Sequence, residues 1–326
     1  MSDHKEAKSF SRFGYIMVAA GAAIGLGNIW KFPYLAYGDG GGAFVLIYIV
    51  ICILLGHPIV QAEQAVGRRG RASAAASYGV IHPKWRFVGV INIVCTFLID
   101  IYYLVVSGWV LKYFVTYVVS GDFGKDKQAY FDNYISSTTQ PLIYSLIIIA
   151  IIVFFLFFGI TNIVEKASKV IMPMLAVLLL VCGIYALIVV PGAVDGLKYY
   201  FVPDFSKFGM QQFADACMQV CFSVGIGWGI FTTLGASMNK DANLKADAWW
   251  VDICDTFIAL LAGFVIIPTV VGTGSEMSSG PSLVFVAMTQ IFETLPGGRI
   301  IGIFFFASLI FAVISTFFTI LEIPRM

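Results

Sequence analysis

A chain of 326 residues with 59% hydrophobic side chains, 12% charged ones and a mean hydropathy of +0.89 has too little charge to keep a water-exposed surface wet. Its formal net charge of +1 supplies no broad field for nucleic acid, so no nucleic-acid partner is expected. Cys52, Cys95, Cys182, Cys217, Cys221 and Cys254 all lie in apolar stretches without a CxxC pair, and read as small buried hydrophobes. The polar, basic start, MSDHKEAKSFSR (1–12), has no cleavage pattern after it and is taken as a tail ahead of a mature span. A bilayer core of roughly 30 Å needs about 20 apolar residues in helix. Eight stretches qualify: about 13–37, 42–66, 87–119, 141–158, 168–190, 209–237, 247–272 and 300–323. Leu142 to Phe158 shows no alternation, which favours helices over a barrel. With the N-terminus cytoplasmic, 13 Lys and Arg fall inside and 7 elsewhere, among the latter Lys31, Lys112, Lys125, Lys127, Lys198, Lys207 and Arg299. The chain is therefore expected as a multi-pass protein of the cell inner (plasma) membrane with its N-terminus cytoplasmic and its partner the lipid bilayer.

Two spans weaken themselves. The first contains GAAIGLGNIWKFP, with Gly21, Gly25 and Gly27 closely spaced, and the sixth contains Gly225, Gly227 and Gly229. Glycine costs about 1 kcal/mol against alanine inside a helix. On the glycines alone, close helix packing through a GxxxG pattern is an equal reading. Asn28 and the second interrupted span favour an opened helix, whose freed carbonyls hold a cation and whose freed amides hold a carboxylate. Asp255 in DICDTFIALLAGF is a carboxylate inside an apolar span, expensive and functional by default, with a protonated structural carboxyl as the alternative. An enzyme is not expected. His4, His57 and His82 form no nucleophile or metal-ligand arrangement, and phosphate-loop and dinucleotide signatures are absent. Repeated filters or charged rings of a channel are absent too.

The stretch GAAIGLGNIWKFPYLAYGDGGGAFVLIYI resembles the first span and start of the second in the neurotransmitter:sodium symporter family. Further similarity lies in GHPIVQAEQAVGR, Tyr102-Tyr103, the sixth span and LPGGRIIGIFFFASLIFAVIST, and covers essentially the whole chain. The resemblance implies an all-α, inverted five-span repeat transporter fold with discontinuous first and sixth helices. A cytoplasmic tail (1–12) precedes a first repeat of spans one to five (13–190) and a partial second repeat of spans six to eight (191–326). It implies a sodium-coupled symporter for an amino acid, hydrophobic or aromatic by preference, working by alternating access. Two sodium ions are expected. The Ala23 carbonyl, Asn28, the Ser223 region and Asp255 would form one site. The carbonyls of Gly21, Ile24 and Ala312, with the hydroxyls of Ser315 and Thr316, would form the other. The amides of Leu26 and Gly27 and the Tyr103 hydroxyl would bind the substrate carboxylate, and the carbonyls of Phe222 and Ser223 its ammonium. Phe222 would act as a lid. Gly225 and Trp228 would shape the side-chain pocket, Glu63 would brace the sixth span, and Lys31 would stand in the outer gate. Family members that need chloride carry a serine where this chain has Ala259, so with Asp255 present no chloride requirement is expected.

The family continues through ten or more spans. A chain ending after the eighth reads as a fragment, as a truncated and transport-incompetent form, or as one whose remaining spans a second chain supplies.

Overall fold

Apolar runs of spanning length fold into helices, and the residues that interrupt those runs set where the helices end. The computed structural model describes residues 10–157, 160–239 and 241–320. Residues 1–9, with His4, Lys5 and Lys8, and also Lys240 and Arg325, lie outside the described residues.

The first span is α1 (Arg12–Ala23), then a π-helical turn (Gly27–Lys31) that runs into α2 (Phe32–Gly38), the two halves meeting at 60°. Ser11 caps α1 by accepting from the Gly14 amide at 3.1 Å, which satisfies one of the donors a helix start leaves free. The second span joins α3 (Gly42–Ile51) to α4 (His57–Gly70) through a second π turn at Cys52–Gly56. A short α5 (Ala74–Ile81) leads to α6 (Arg86–Val119), the third span. Next, α7 (Lys127–Ser136) turns by 77° into α8 (Thr139–Phe157), the fourth, and α9 (Ile160–Val189) is the fifth. After α10 (Ala193–Phe201), the sixth span is α11 (Met210–Val224) and α12 (Ile230–Ala236), separated by five non-helical residues. The seventh is α13 (Leu244–Thr273). A π turn (Leu283–Ala287) with α14 (Met288–Thr294) precedes α15 (Gly298–Ile320), the eighth.

Among the described residues five helices are long and apolar enough to cross a bilayer, and two bent pairs raise this to seven. The sixth span joins neither group because its pieces, 15 and 7 residues, are parted by a five-residue break too long for the two to count as one bent helix. Val90, Ile91, Val94, Phe97, Leu98 and Ile101 on α6 point outward, as a lipid-facing flank should. This is a multi-pass membrane protein. The stretch 120–134, between the third and fourth apolar runs, contains most of α7, and α5, α10 and α14 also occupy inter-span segments. Such short helices form by packing rather than by length. On α10 the buried residues Ala193, Gly196 and Tyr200 recur at helical spacing, with Gly196 pressed against the Pro268 backbone of α13. At the far end of α6, Arg299 of α15 donates to the carbonyls of Tyr117 (2.9 Å), Val118 (2.6 Å) and Val119 (3.2 Å). One guanidinium thus satisfies three carbonyls of a helix end and ties the third span to the eighth.

Candidate functional site

At Ile24 the first span leaves the helix (φ −73°, ψ 101°), its amide still bonded to the Ala20 carbonyl at 2.8 Å. The carbonyls of Gly21 and Ala23, at the end of α1, are thereby left without helical donors. Hydroxyls of α15 face this end. Ser315 Oγ lies 3.3 Å from the Gly21 carbonyl, and Thr316 Oγ1 lies 3.3 Å from Gly21 and 3.0 Å from Ile24. Both hydroxyls also lie near the Ala312 carbonyl, at 3.0 and 2.9 Å. Tyr103 Oη of α6 reaches Thr316 Oγ1 at 3.3 Å and sits beside the Leu26 amide. Each hydroxyl owns one proton, whereas three carbonyls crowd around the pair. Oxygen lone pairs therefore outnumber donors in a buried space, the chemistry that a hard cation satisfies.

The other side of the break is built on Asn28, inside the π turn. Its Oδ1 accepts from the Gly25 amide at 3.1 Å, and its Nδ2 donates to Ser223 Oγ at 2.8 Å and Asp255 Oδ1 at 2.7 Å. Ser223 donates to Asp255 Oδ2 at 2.8 Å, and Tyr48 Oη donates to Ser223 Oγ at 3.3 Å. Asp255 is fully buried. Three spans thus bring an amide, a hydroxyl and one carboxylate to a point beside the opened helix.

The sixth span opens at Gly225, Gly227 and Gly229, whose φ values of 77°, 82° and 76° place all three in the left-handed region that glycine enters cheaply. Polar side chains of α4 and α6 hold this segment by its backbone. Glu63 Oε1 accepts from the Gly227 amide at 2.8 Å. Asn92, its amide turned to donate, reaches the Gly227 carbonyl at 2.9 Å, and Thr96 donates to the Trp228 carbonyl. The Phe222 ring lies directly on Gly27, where no Cβ would fit, and meets Trp228 edge-on with centroids 5.6 Å apart. Lys31 Nζ sits 4.6 Å from the Phe222 ring centroid. Just beyond α2, burial and the charge of Asp215 push the Asp39 carboxyl up to about 6.

The residues singled out in the sequence therefore gather around the two breaks. Tyr48, Asn92 and Thr96 were not singled out. Asn92, Thr96, Tyr103 and Ser107 share one buried face of α6, opposite the apolar flank of Val90, Ile91, Val94, Phe97, Leu98 and Ile101, and that polar stripe was the available signal. All six cysteines are free. Among the described residues no group of three His, Cys, Asp or Glu could hold a metal ion, and the carboxylate in the cluster beside Asn28 is that of Asp255.

The model of the sodium:neurotransmitter symporter family matches residues 7–121 and 131–324. The chain belongs to that family. An uncharacterized sodium-dependent transporter of Haemophilus influenzae is 34% identical over 96% of this chain and 72% of its own length. An uncharacterized sodium-dependent transporter of Bacillus subtilis, YhdH, is 33% identical over 99% of this chain and 72% of its own. Among solved structures, MhsT in complex with L-phenylalanine superposes with a TM-score of 0.88 at 35% identity, covering 98% of this symporter-family chain and 74% of that one. The family is one of sodium-dependent transporters, not an enzyme family.

Proposed function

We propose that this family member imports an amino acid together with sodium by alternating access. The observation that carries the reading is the pair of oxygen clusters flanking the break at Ile24–Leu26. One is Gly21, Ile24, Ala312, Ser315 and Thr316. The other is Asn28, Ser223 and Asp255, to which the Ala23 carbonyl would be added. Each would take one sodium ion, and the substrate carboxylate would bridge to the ion beside Asp255. The Leu26 and Gly27 amides and Tyr103 would hold that carboxylate, and the carbonyls of Phe222 and Ser223 the ammonium. Phe222 would cover the substrate, while Gly225 and Trp228 line the side-chain pocket. The phenylalanine bound to MhsT supports a hydrophobic or aromatic substrate. The N-terminus lies in the cytoplasm, and the two broken spans occupy corresponding places in inverted repeats. Asp255 supplies the fixed negative charge, so chloride is not required.

The test is binding of the twenty radiolabelled amino acids to the purified protein in NaCl and in KCl. Sodium-dependent binding of one or a few apolar amino acids supports the reading. Binding indifferent to sodium, or none at all, overturns it.

A further inference from the structure

Away from both breaks, the end of α6, the start of α7, α14 and the start of α15 enclose a cavity of about 170 Å³. Tyr117, which lines it, stands on α6 about 21 Å of helix beyond Tyr103. Two cations and one carboxylate line the same space: Lys127, Arg299 and Glu293. Lys127 Nζ, its side chain 5% exposed, pairs with Glu293 Oε2 and donates to the Gly124 carbonyl, so those two charges cancel. Among the described residues Arg299 has no carboxylate partner. Its Nε and Nη2 go to the three carbonyls at the end of α6, and Nη1 takes no part in those bonds. One positive charge is therefore left over. Gly298, the first residue of α15, also lines the cavity, so the positive end of that helix dipole adds to it. Thr289 of α14 is 1% exposed, and its Oγ1 lies beside the Tyr117 hydroxyl without a hydrogen bond of good geometry. A buried hydroxyl left in that state is a donor awaiting an acceptor.

We infer that this cavity is a binding site for a small monocarboxylate. The charge count selects a single negative charge. A dianion would carry one charge that nothing matches, next to the carboxylate of Glu293. A zwitterion would bring an ammonium whose acceptor, Glu293, is already held by Lys127. The planar guanidinium suits a carboxylate, and the hydroxyls of Thr289 and Tyr117 supply further donors. Phe123, Phe292 and Leu295 line the rest, which suits a short alkyl tail. Bound there, the ligand ties α7 and α14 to the clamped ends of α6 and α15. The inference goes beyond the transport reading and uses none of the residues of the two oxygen clusters.

Hydrogen–deuterium exchange of the full chain in detergent, titrated with sodium butyrate or with neutral butanamide at constant sodium, tests the site. Butyrate should lower exchange across Lys127–Ser136 and Met288–Thr294 at least twofold, saturably, and leave Leu244–Thr273 unchanged. Butanamide, of similar shape but uncharged, should not. Thr289→Val should raise the half-saturating butyrate concentration about five- to tenfold. It should not lower the melting temperature of the free protein, because that hydroxyl has no well-formed bond to lose. Glu293→Gln, at an exposed side chain, should act in the opposite direction and lower the half-saturating concentration at least threefold, since it frees the Lys127 charge. No protection by butyrate, equal protection by butanamide, wild-type butyrate binding in Thr289→Val, or unchanged or weaker binding in Glu293→Gln would each overturn the inference.

Discussion

Both oxygens of Asp255 are occupied by donors, Asn28 on one and Ser223 on the other. A carboxylate at this depth persists because donors surround it, and the proposed cation would complete the set. Asp255→Asn keeps the shape and removes the charge, and should weaken the sodium dependence of substrate binding by about tenfold or more, read as the sodium concentration giving half-maximal binding. Thr316→Val, nearly isosteric, removes a hydroxyl that faces three carbonyls. It should cost about 1–2 kcal/mol of sodium affinity, roughly a five- to thirtyfold shift in the same titration. Asp255 was legible in the sequence as a carboxylate inside an apolar run, and Ser315 and Thr316 only through the family resemblance. Tyr48 was not, because nothing local reveals that a tyrosine on α3 meets Ser223 across 175 positions of chain.

Elements show the same division. Seven of the eight apolar runs fall on helices or bent helix pairs long and apolar enough to cross a bilayer, the sixth falls on two shorter helices, and glycine spacing located both interruptions, since helix propensity is a local property. The π turns at Gly27–Lys31, Cys52–Gly56 and Leu283–Ala287 had no sequence signal, because one extra residue per turn is stabilised by what packs against it. The segment between α11 and α12 separates two causes of glycine preference. At Gly227 nothing lies within 4 Å of the point where a Cβ would stand, so Gly227→Ala meets only backbone strain. It should cost about 1–2 kcal/mol, seen as a fall of a few degrees in melting temperature in detergent. Glu63→Ala should do at least as much harm, about 1–3 kcal/mol, by leaving the Gly227 amide buried without an acceptor, whereas Glu63→Gln should retain most of the stability.

For the whole molecule, the proposed cycle moves net positive charge inward. A potential of 100 mV, negative inside, is worth about 2.3 kcal/mol for each charge carried. Imposing a potassium diffusion potential on vesicles with sodium outside should therefore speed amino-acid uptake several-fold, and collapsing it should remove the gain. Replacing chloride by gluconate on both sides should leave the initial rate unchanged. The membrane class and the symporter resemblance were readable from composition and the GLGNIWKFP stretch. How the start of α1 is tied to its neighbours was not, because that depends on pairs such as Ser11–Glu165 and Arg12–Asp247, more than 150 positions apart.

Arg299 clamps the end of α6 to the beginning of α15, and lower down the same two helices bring Tyr103 and Thr316 within 3.3 Å. They form a wall that carries three oxygens of one cluster, while Gly21 and Ile24 contribute the other two from the broken end of a separate helix. In the proposed cycle, parting that end from the wall would withdraw both of its oxygens in a single stroke. The escapement would then be all-or-none: an ion bound here would be either fully clasped or abruptly loose, with no half-held stage in which it could leak back.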